Sequence, residues 1–344
     1  MTMVQRIAQW VTAFDAAAVD ARTVESMKHS VLDSLGCAIL TLGESCVAGV
    51  LSYARATGGN SGPASLIGGG RAPLSIATLA NGTLIRALDF NDHLALDPNT
   101  GDKRGGHPSD NLAATLAVAE ARNLGGSEVL AALLAGYELY GRIYRFLTPE
   151  LPWDHTTAFG FTVPAVAARL LGLDAEIAAH AIAISAAQSA TLGVVRRGEL
   201  SHGKFLASAL VAERGVEAAL LAAAGVTGPM TVFEDSRGIS KGVFQTEAIE
   251  SLVAPLGAHH MIEGVTIKAY PGMDTSQAAV EAALKAAAGR KLKASDIVRI
   301  ELIMNDHPMI RQQTADPSRR APHSRETADH SIQYMVAVAL LDGE

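Results

Sequence analysis

The stretch from Leu88 to Leu112 gathers the residue types that proton transfer needs. Asp89, Asp92, His93, Asp97, Asp102, His107 and Asp110 fall within it. Imidazoles gain and lose protons near neutral pH, and carboxylates beside them can act as bases or hold charge. His155 lies in a second loop, Trp153-Asp154-His155, and is a further acid/base candidate. His180 falls inside a helical pattern and reads as structural. A compact basic segment, Arg196-Arg197-Gly-Glu-Leu-Ser-His-Gly-Lys204, precedes an alanine-rich helix. Arginine forks match carboxylates, so these cations suit a di- or tricarboxylate.

These groups must be positioned by helices. Apolar residues make up 49% of the 344 positions and aromatics only 5%, so alanine and leucine have to fill the core. That favours close helix packing over a sandwich, because β-branched and aromatic runs are sparse. Val24, Met27, Val31, Leu35 and Ile39 predict a helix with one buried stripe, stopped by Gly43. Cys46 to Ala56 predicts a helix ended by Gly58-Gly59-Asn60. A short strand and glycine turn follow, and Pro73 opens a helix to about Leu88, which delivers Asp89 onto the central loop. Ser109 is expected to cap the next helix, which leaves His107 just ahead of a helix start. Ser127 and Asp174 are expected caps, Pro164 a first-turn residue and Gly172 a stop. The texture changes between Gly225 and about Leu256, and a boundary near residue 260 separates a helical domain, 1–260, from an α+β unit, 261–344. Strands are expected over Gly264–Tyr270 and Val298–Leu302. Helices are expected over Asp274–Ala288, Asp306–Thr314 and Thr327–Leu341.

Several classes are excluded. A formal charge of −7 and no basic stripe argue against nucleic acid. Cys37 and Cys46 are too few for a disulfide framework or an iron–sulfur cluster. Gly62 to Gly70 lacks the ending of a phosphate loop, Asp97-x-Asn99-x-Gly101 lacks the closing glutamate of a calcium loop, and no zinc-binding helix motif occurs. No resident metal or cofactor is expected. Met1 to Phe14 lacks the apolar core of a signal peptide and no run reaches membrane length, so a cytoplasmic protein is expected.

Five stretches, in order, resemble the MmgE/PrpD family: Ala80–Asp92, Gly106-His-Pro-Ser-Asp-Asn-Leu112, His202–Gly225, Lys268-Ala-Tyr-Pro271 and His330–Gly343. The resemblance covers nearly the whole chain. It implies a large all-helical domain with a smaller α+β lid, a homodimer, and chemistry on small tri- or dicarboxylates without metal or nicotinamide. It carries over Asp89, His107, His155 and Lys204 as catalytic residues, and Lys268, with Arg196 and Arg197, as carboxylate contacts. His93 and Ser109 join the substrate-binding candidates. Within the family the wording is closest to 2-methylcitrate dehydratase. The expected reaction is metal-independent dehydration, with Asp89 or His155 as base and His107 as donor to the leaving hydroxyl, or with these base and acid roles exchanged. Cis-aconitate decarboxylation, epimerisation and a catalytically dead carboxylate-binding module are the alternatives. Family chains normally run past Glu344, so a fragment or a truncated lid is expected.

Overall fold

The computed structural model describes residues 1–15, 19–58, 61–255, 259–306 and 308–343. The expected stop at Gly59-Asn60 and the texture limit at Leu256 lie outside them. The architecture is mainly α. Two compact units are present: Met1–Ala87, Asn91–Val194 and Phe205–Ile267 form the first, and Leu88–Phe90, Val195–Lys204 and Lys268–Glu344 the second.

The first unit holds α1 (Met3–Thr12), α2 (Ala21–Thr41), α3 (Ala48–Gly58), α4 (Leu74–Arg86), α5 (Leu112–Ala121), α6 (Gly126–Tyr144), α7 (Phe159–Leu171), α8 (Ala175–Ala186) and most of α9 (Gly203–Ala223), with a short α10 (Ile239–Gly242). Small side chains let these helices approach closely. Gly82 of α4 faces Ala113 of α5 and Ala209 of α9, and a methyl group there would already touch both. The core is correspondingly rich in alanine, with Phe159, Phe161, Phe205 and Phe233 as its large buried rings. Arg169 of α7 donates to the main-chain oxygens of Val11, Thr12 and Phe14, which satisfies carbonyls beyond the reach of the helical ladder. Glu138 and Arg142 of α6 pair inside the unit; Arg142 also donates to the oxygens of Leu252 and Ala254.

Two small two-stranded sheets complete this unit. β1 (Ala64–Ser65) pairs antiparallel with β2 (Arg71–Ala72) across the expected glycine turn. β3 (His93–Leu94) pairs antiparallel with β4 (Val265–Thr266), so the strand expected over Gly264–Tyr270 is only two residues long.

Local signals were followed unevenly. Asp174 caps α8 by accepting from the amide of Ile177, and Gly172 ends α7 with φ 73°. Ser127 does not cap α6; Gly125 occupies that position and the Ser127 hydroxyl turns to Glu128. Pro164 lies inside α7, because the helix starts earlier, at Phe159. The buried stripe of α2 runs through Met27, Ser34, Cys37 and Ala38, which leaves Ile39 63% exposed.

The second unit packs α11 (Gln277–Ala287) against α14 (Ile332–Leu341) around Met273, Val280, Ile332 and Val336. Helices α12 (Pro308–Ala315) and α13 (Arg325–Ala328) accompany them. Among the described residues this unit has no strand. The expected strand at Val298–Leu302 is unpaired, with Val298 fully exposed. Alternation supplies two faces, but a strand also needs a neighbour to complete its hydrogen bonds. The helix expected over Thr327–Leu341 breaks at Asp329–Ser331 into α13 and α14.

Among the described residues no single helix is long and apolar enough to cross a membrane. The pair Ala21–Thr41 and Ser45–Gly58 reaches that length only across a 90° bend.

Candidate active site

Two clusters hold the residues singled out in the sequence, one in each unit. In the first unit, three imidazoles form a row. Ring centroids of His93 and His107 are 6.1 Å apart, and those of His107 and His155 are 5.7 Å apart. His93 is placed by the β3–β4 pairing. His155 opens a 3-10 turn capped by Asp154, whose carboxylate accepts from the amide of Thr156 at 3.0 Å. Its Nδ1 lies 3.1 Å from the hydroxyl of Tyr140, on α6.

His107 is fixed by the loop on either side of it. Its Nδ1 lies 2.5 Å from the main-chain oxygen of Asp92. A carbonyl oxygen only accepts, so Nδ1 carries the hydrogen, and Nε2 is the nitrogen that can take up or release a proton. Ser109 was expected to cap α5. Instead Pro108–Asn111 forms a 3-10 turn, and the Ser109 hydroxyl donates to Asp92 Oδ1 at 2.6 Å. The helix start is used up by this turn, so the serine faces the carboxylate rather than the helix amides.

Asp92, one acid among several in the Leu88–Leu112 stretch and given no role there, anchors this arrangement. Its carboxylate accepts from Ser109 and, at 2.8 Å, from the hydroxyl of Tyr137. Burial pushes its pKa up to about 6 against the pull of those two hydroxyls. Burial, with Asp92 beside it, drives the Tyr137 phenol well above its usual value. Below the row, Asn91 donates to Ser109 and Asp110, and Arg86 lies 3.7 Å from Asp110, all buried. Gly105 and Gly106 close the first cluster. A Cβ at Gly105 would collide with the Tyr144 hydroxyl, and one at Gly106 with the Tyr140 hydroxyl; Gly106 also has φ 73°.

The second cluster is built on Asp89. This residue is buried and has φ 48°, a left-handed conformation that aspartate tolerates better than most residues but that still costs energy. Lys204, in the first turn of α9, places Nζ 3.4 Å from Asp89 Oδ2 and 3.0 Å from Asp329 Oδ1. Lys268 donates to Asp89 O at 2.6 Å and to Gly272 O at 2.9 Å, and lies 3.3 Å from Asp89 Oδ1. His330 spans the two carboxylates, with Nδ1 2.5 Å from Asp329 Oδ1 and Nε2 3.2 Å from Asp89 Oδ2. Asp329 and His330 were not among the expected site residues. Their signal is the break between α13 and α14, which a continuous helical pattern conceals.

Asp89, Asp329 and His330 bring three ligand atoms close enough for a metal ion. Lys204 Nζ, however, lies 3.0–3.4 Å from Asp89, Asp329 and His330. The ammonium therefore supplies the positive charge a metal would bring. Burial raises Asp329, but Lys204 and His330 outweigh it and hold its carboxyl below the usual range. Burial, then Lys204, push the His330 imidazole below its ordinary value. Asp329 also borders a cavity of about 510 Å³, lined in part by Tyr270, Arg325, Tyr334 and Met335. Of the expected carboxylate-binding arginines, Arg197 is exposed in the bend at 197–199. Arg196 is half-buried, its main-chain oxygen 3.5 Å from Arg319 Nη2.

Comparison with known proteins accords with this chemistry. Residues 5–252 match the MmgE/PrpD N-terminal domain and residues 270–344 the MmgE/PrpD C-terminal domain. The chain is 32% identical to 2-methylcitrate dehydratase of Cupriavidus necator over 282 residues, which is 76% of this chain and 55% of that protein. The figures are the same for 2-methylcitrate dehydratase of Escherichia coli K12. Cis-aconitate decarboxylase of Mus musculus is 26% identical over 342 residues, 93% of this chain and 66% of that protein. The matches thus span little more than half the length of the dehydratases. Two domain matches in order, joined to 32% identity over three quarters of its length, place this chain in the MmgE/PrpD family.

Proposed function

We propose that this chain carries lyase chemistry on a small tri- or dicarboxylate, and that the reaction is dehydration of 2-methylcitrate to 2-methyl-cis-aconitate. The similarity to 2-methylcitrate dehydratases carries the reading, and the imidazole row and the Asp89–Lys204–Lys268 cluster each supply groups that such chemistry uses.

Dehydration removes a weakly acidic proton beside a carboxylate and expels hydroxide from the neighbouring carbon. A placed base and a placed acid each contribute roughly a hundredfold or more, and cations absorb the developing enolate charge. The imidazoles supply groups that exchange protons near neutral pH. With Nδ1 committed to Asp92 O, His107 takes the proton at Nε2 and serves as base, with His155 beside it. This takes the exchanged assignment of the two that the sequence leaves open for His107. Lys204 and Lys268 supply the cationic charge, and the reading calls for no metal because the ammonium groups occupy that role. A cytoplasmic homodimer accompanies this proposal.

Decarboxylation of cis-aconitate is the second reading, favoured by the longer match to the mouse decarboxylase. Proton NMR of the purified chain in the presence of a chelator decides between them. Conversion of 2-methylcitrate to its cis-aconitate, or hydration of cis-aconitate, supports the dehydratase. An itaconate methylene signal supports the decarboxylase. No conversion in either tube removes both from this chain.

A further inference from the structure

Two tyrosines on α6 reach two different imidazoles. Tyr137 and Tyr140 are three positions apart, so their side chains leave the same face of the helix. The Tyr137 hydroxyl donates to Asp92 Oδ2 at 2.8 Å, and the main-chain oxygen of that same Asp92 holds His107 Nδ1 at 2.5 Å. The Tyr140 hydroxyl lies 3.1 Å from His155 Nδ1. In both imidazoles the hold is on Nδ1. Both tyrosines are buried, and the Tyr140 ring stacks on Phe159 of α7 with centroids 5.0 Å apart.

Asp92 grips the loop at two points around His107. Its main-chain oxygen takes the ring, and Oδ1 accepts from the hydroxyl of Ser109, two residues further on, at 2.6 Å. Asn91 Nδ2 donates to the oxygen of that hydroxyl at 2.9 Å, which leaves its one hydrogen for Asp92. Pro108, between His107 and Ser109, has a fixed φ and stiffens the closed ring of contacts. With a pKa of about 6, Asp92 is mainly a carboxylate at pH 7 and accepts from both hydroxyls. These contacts lie within the loop and its own turn. Tyr137 ties them to a long helix from outside.

We propose that Tyr137 and Tyr140 are positioning residues for the imidazole row. Tyr137 holds His107 through Asp92, Tyr140 holds His155 directly, and the stretch of α6 between them sets the spacing of the two rings. Nδ1 of each ring serves as its anchor, so proton transfer falls to Nε2.

The use made of this spacing rests on the proposed dehydration, in which an imidazole removes the carbon-bound proton. Misplacing a reacting group by about 1 Å costs roughly a hundredfold in rate. Tyr137→Phe is therefore expected to lower kcat by roughly tenfold to a hundredfold, with KM little changed.

The deciding test reads each ring separately and needs no turnover. Two-bond 1H–15N spectra of the full chain, labelled in histidine, report which ring nitrogen carries the hydrogen. His107→Gln and His155→Gln assign the two patterns. At pH 8, above the usual imidazole pKa of about 6.5, His107 is expected to show a single form with its hydrogen on Nδ1. In Tyr137→Phe, Asp92 loses the donor at Oδ2, and His107 is expected to move toward an average of both forms while the His155 pattern stays. In Tyr140→Phe the reverse is expected: His155 shifts and His107 keeps its hydrogen on Nδ1. Far-UV circular dichroism and melting check that each variant is folded. A His107 with its hydrogen on Nε2 in the unsubstituted chain overturns the proposal. So do variants that move neither ring, or both alike, because a general loosening of the core would do the latter. Should Tyr137→Phe fail to fold, Asp92→Ala removes the acceptor in place of the donor; should that fail too, the Tyr140→Phe arm decides. The expected pattern in a chain without turnover would remove the reading of function but not the anchoring of the two rings.

Discussion

Lys268 donates to the main-chain oxygen of Asp89 at 2.6 Å and to that of Gly272 at 2.9 Å. One buried ammonium thus ties together two segments far apart in sequence, and it does so at the residue whose backbone is left-handed. Lys268→Met is expected to destabilise the chain by roughly 3–5 kcal/mol, the usual cost of removing one partner from a buried ion pair. Urea unfolding measures it. Were Lys268 only a carboxylate contact for substrate, stability would be unchanged and KM alone would rise.

Asp92 makes stability depend on pH in a defined direction. Burial raises its folded-state pKa to about 6, above the unfolded value of about 3.9. Between those values the native chain holds more protons than the unfolded one. Raising the pH through that window therefore lowers stability, by up to roughly 3 kcal/mol for two pKa units. Asn at position 92 stays neutral and can keep partners at Ser109 and Tyr137. Asp92→Asn is expected to gain on the parent as pH rises from 4 to 6, with the difference constant above. Equal pH slopes of unfolding free energy in the two proteins would refute this.

How much of this was legible depended on whether the signal was local. Asp174, Gly172 and the glycine turn at 68–70 announce their structures within a few residues, and the structure follows them. Asp89 and Lys204 stood out by residue type and spacing, whereas Lys268 was found through family wording. Asp329 and His330 lie in an apolar helical pattern, and only the break before α14 turns them onto Asp89. Asp92 was one acid among several on a loop. Its part depends on Tyr137, 45 positions away, which no periodicity links to it. Val298–Leu302 shows the opposite failure: its alternation is plain, but no strand lies beside it among the described residues.

Gly106 sits where a side chain has no room. Its φ is 73°, and a Cβ there would collide with the Tyr140 hydroxyl and approach His155 Nδ1 to 2.8 Å. Gly106→Ala is expected to cost more than about 1 kcal/mol through the backbone alone, with the displaced tyrosine adding to it. Removing that hydroxyl should restore part of the loss, so Gly106→Ala and Tyr140→Phe are expected to be non-additive. A double-mutant cycle on unfolding free energy tests the pair. Strict additivity would mean that the tyrosine moves aside without cost.

His107 offers a way to separate bracing from catalysis. Its Nδ1 supports the turn by donating to Asp92 O at 2.5 Å, and only Nε2 is left for proton transfer. An asparagine places its amide hydrogen close to the position of Nδ1 but has nothing at Nε2. His107→Asn is therefore expected to melt close to the parent, while turnover of the polycarboxylate falls by roughly a hundredfold to ten-thousandfold, the range for loss of a general base. His107→Ala removes both atoms and is expected to lose stability as well. The informative comparison is between these two variants. If asparagine kept full turnover and alanine lost both properties together, His107 would be a brace for the turn, and the base would have to be sought at His155.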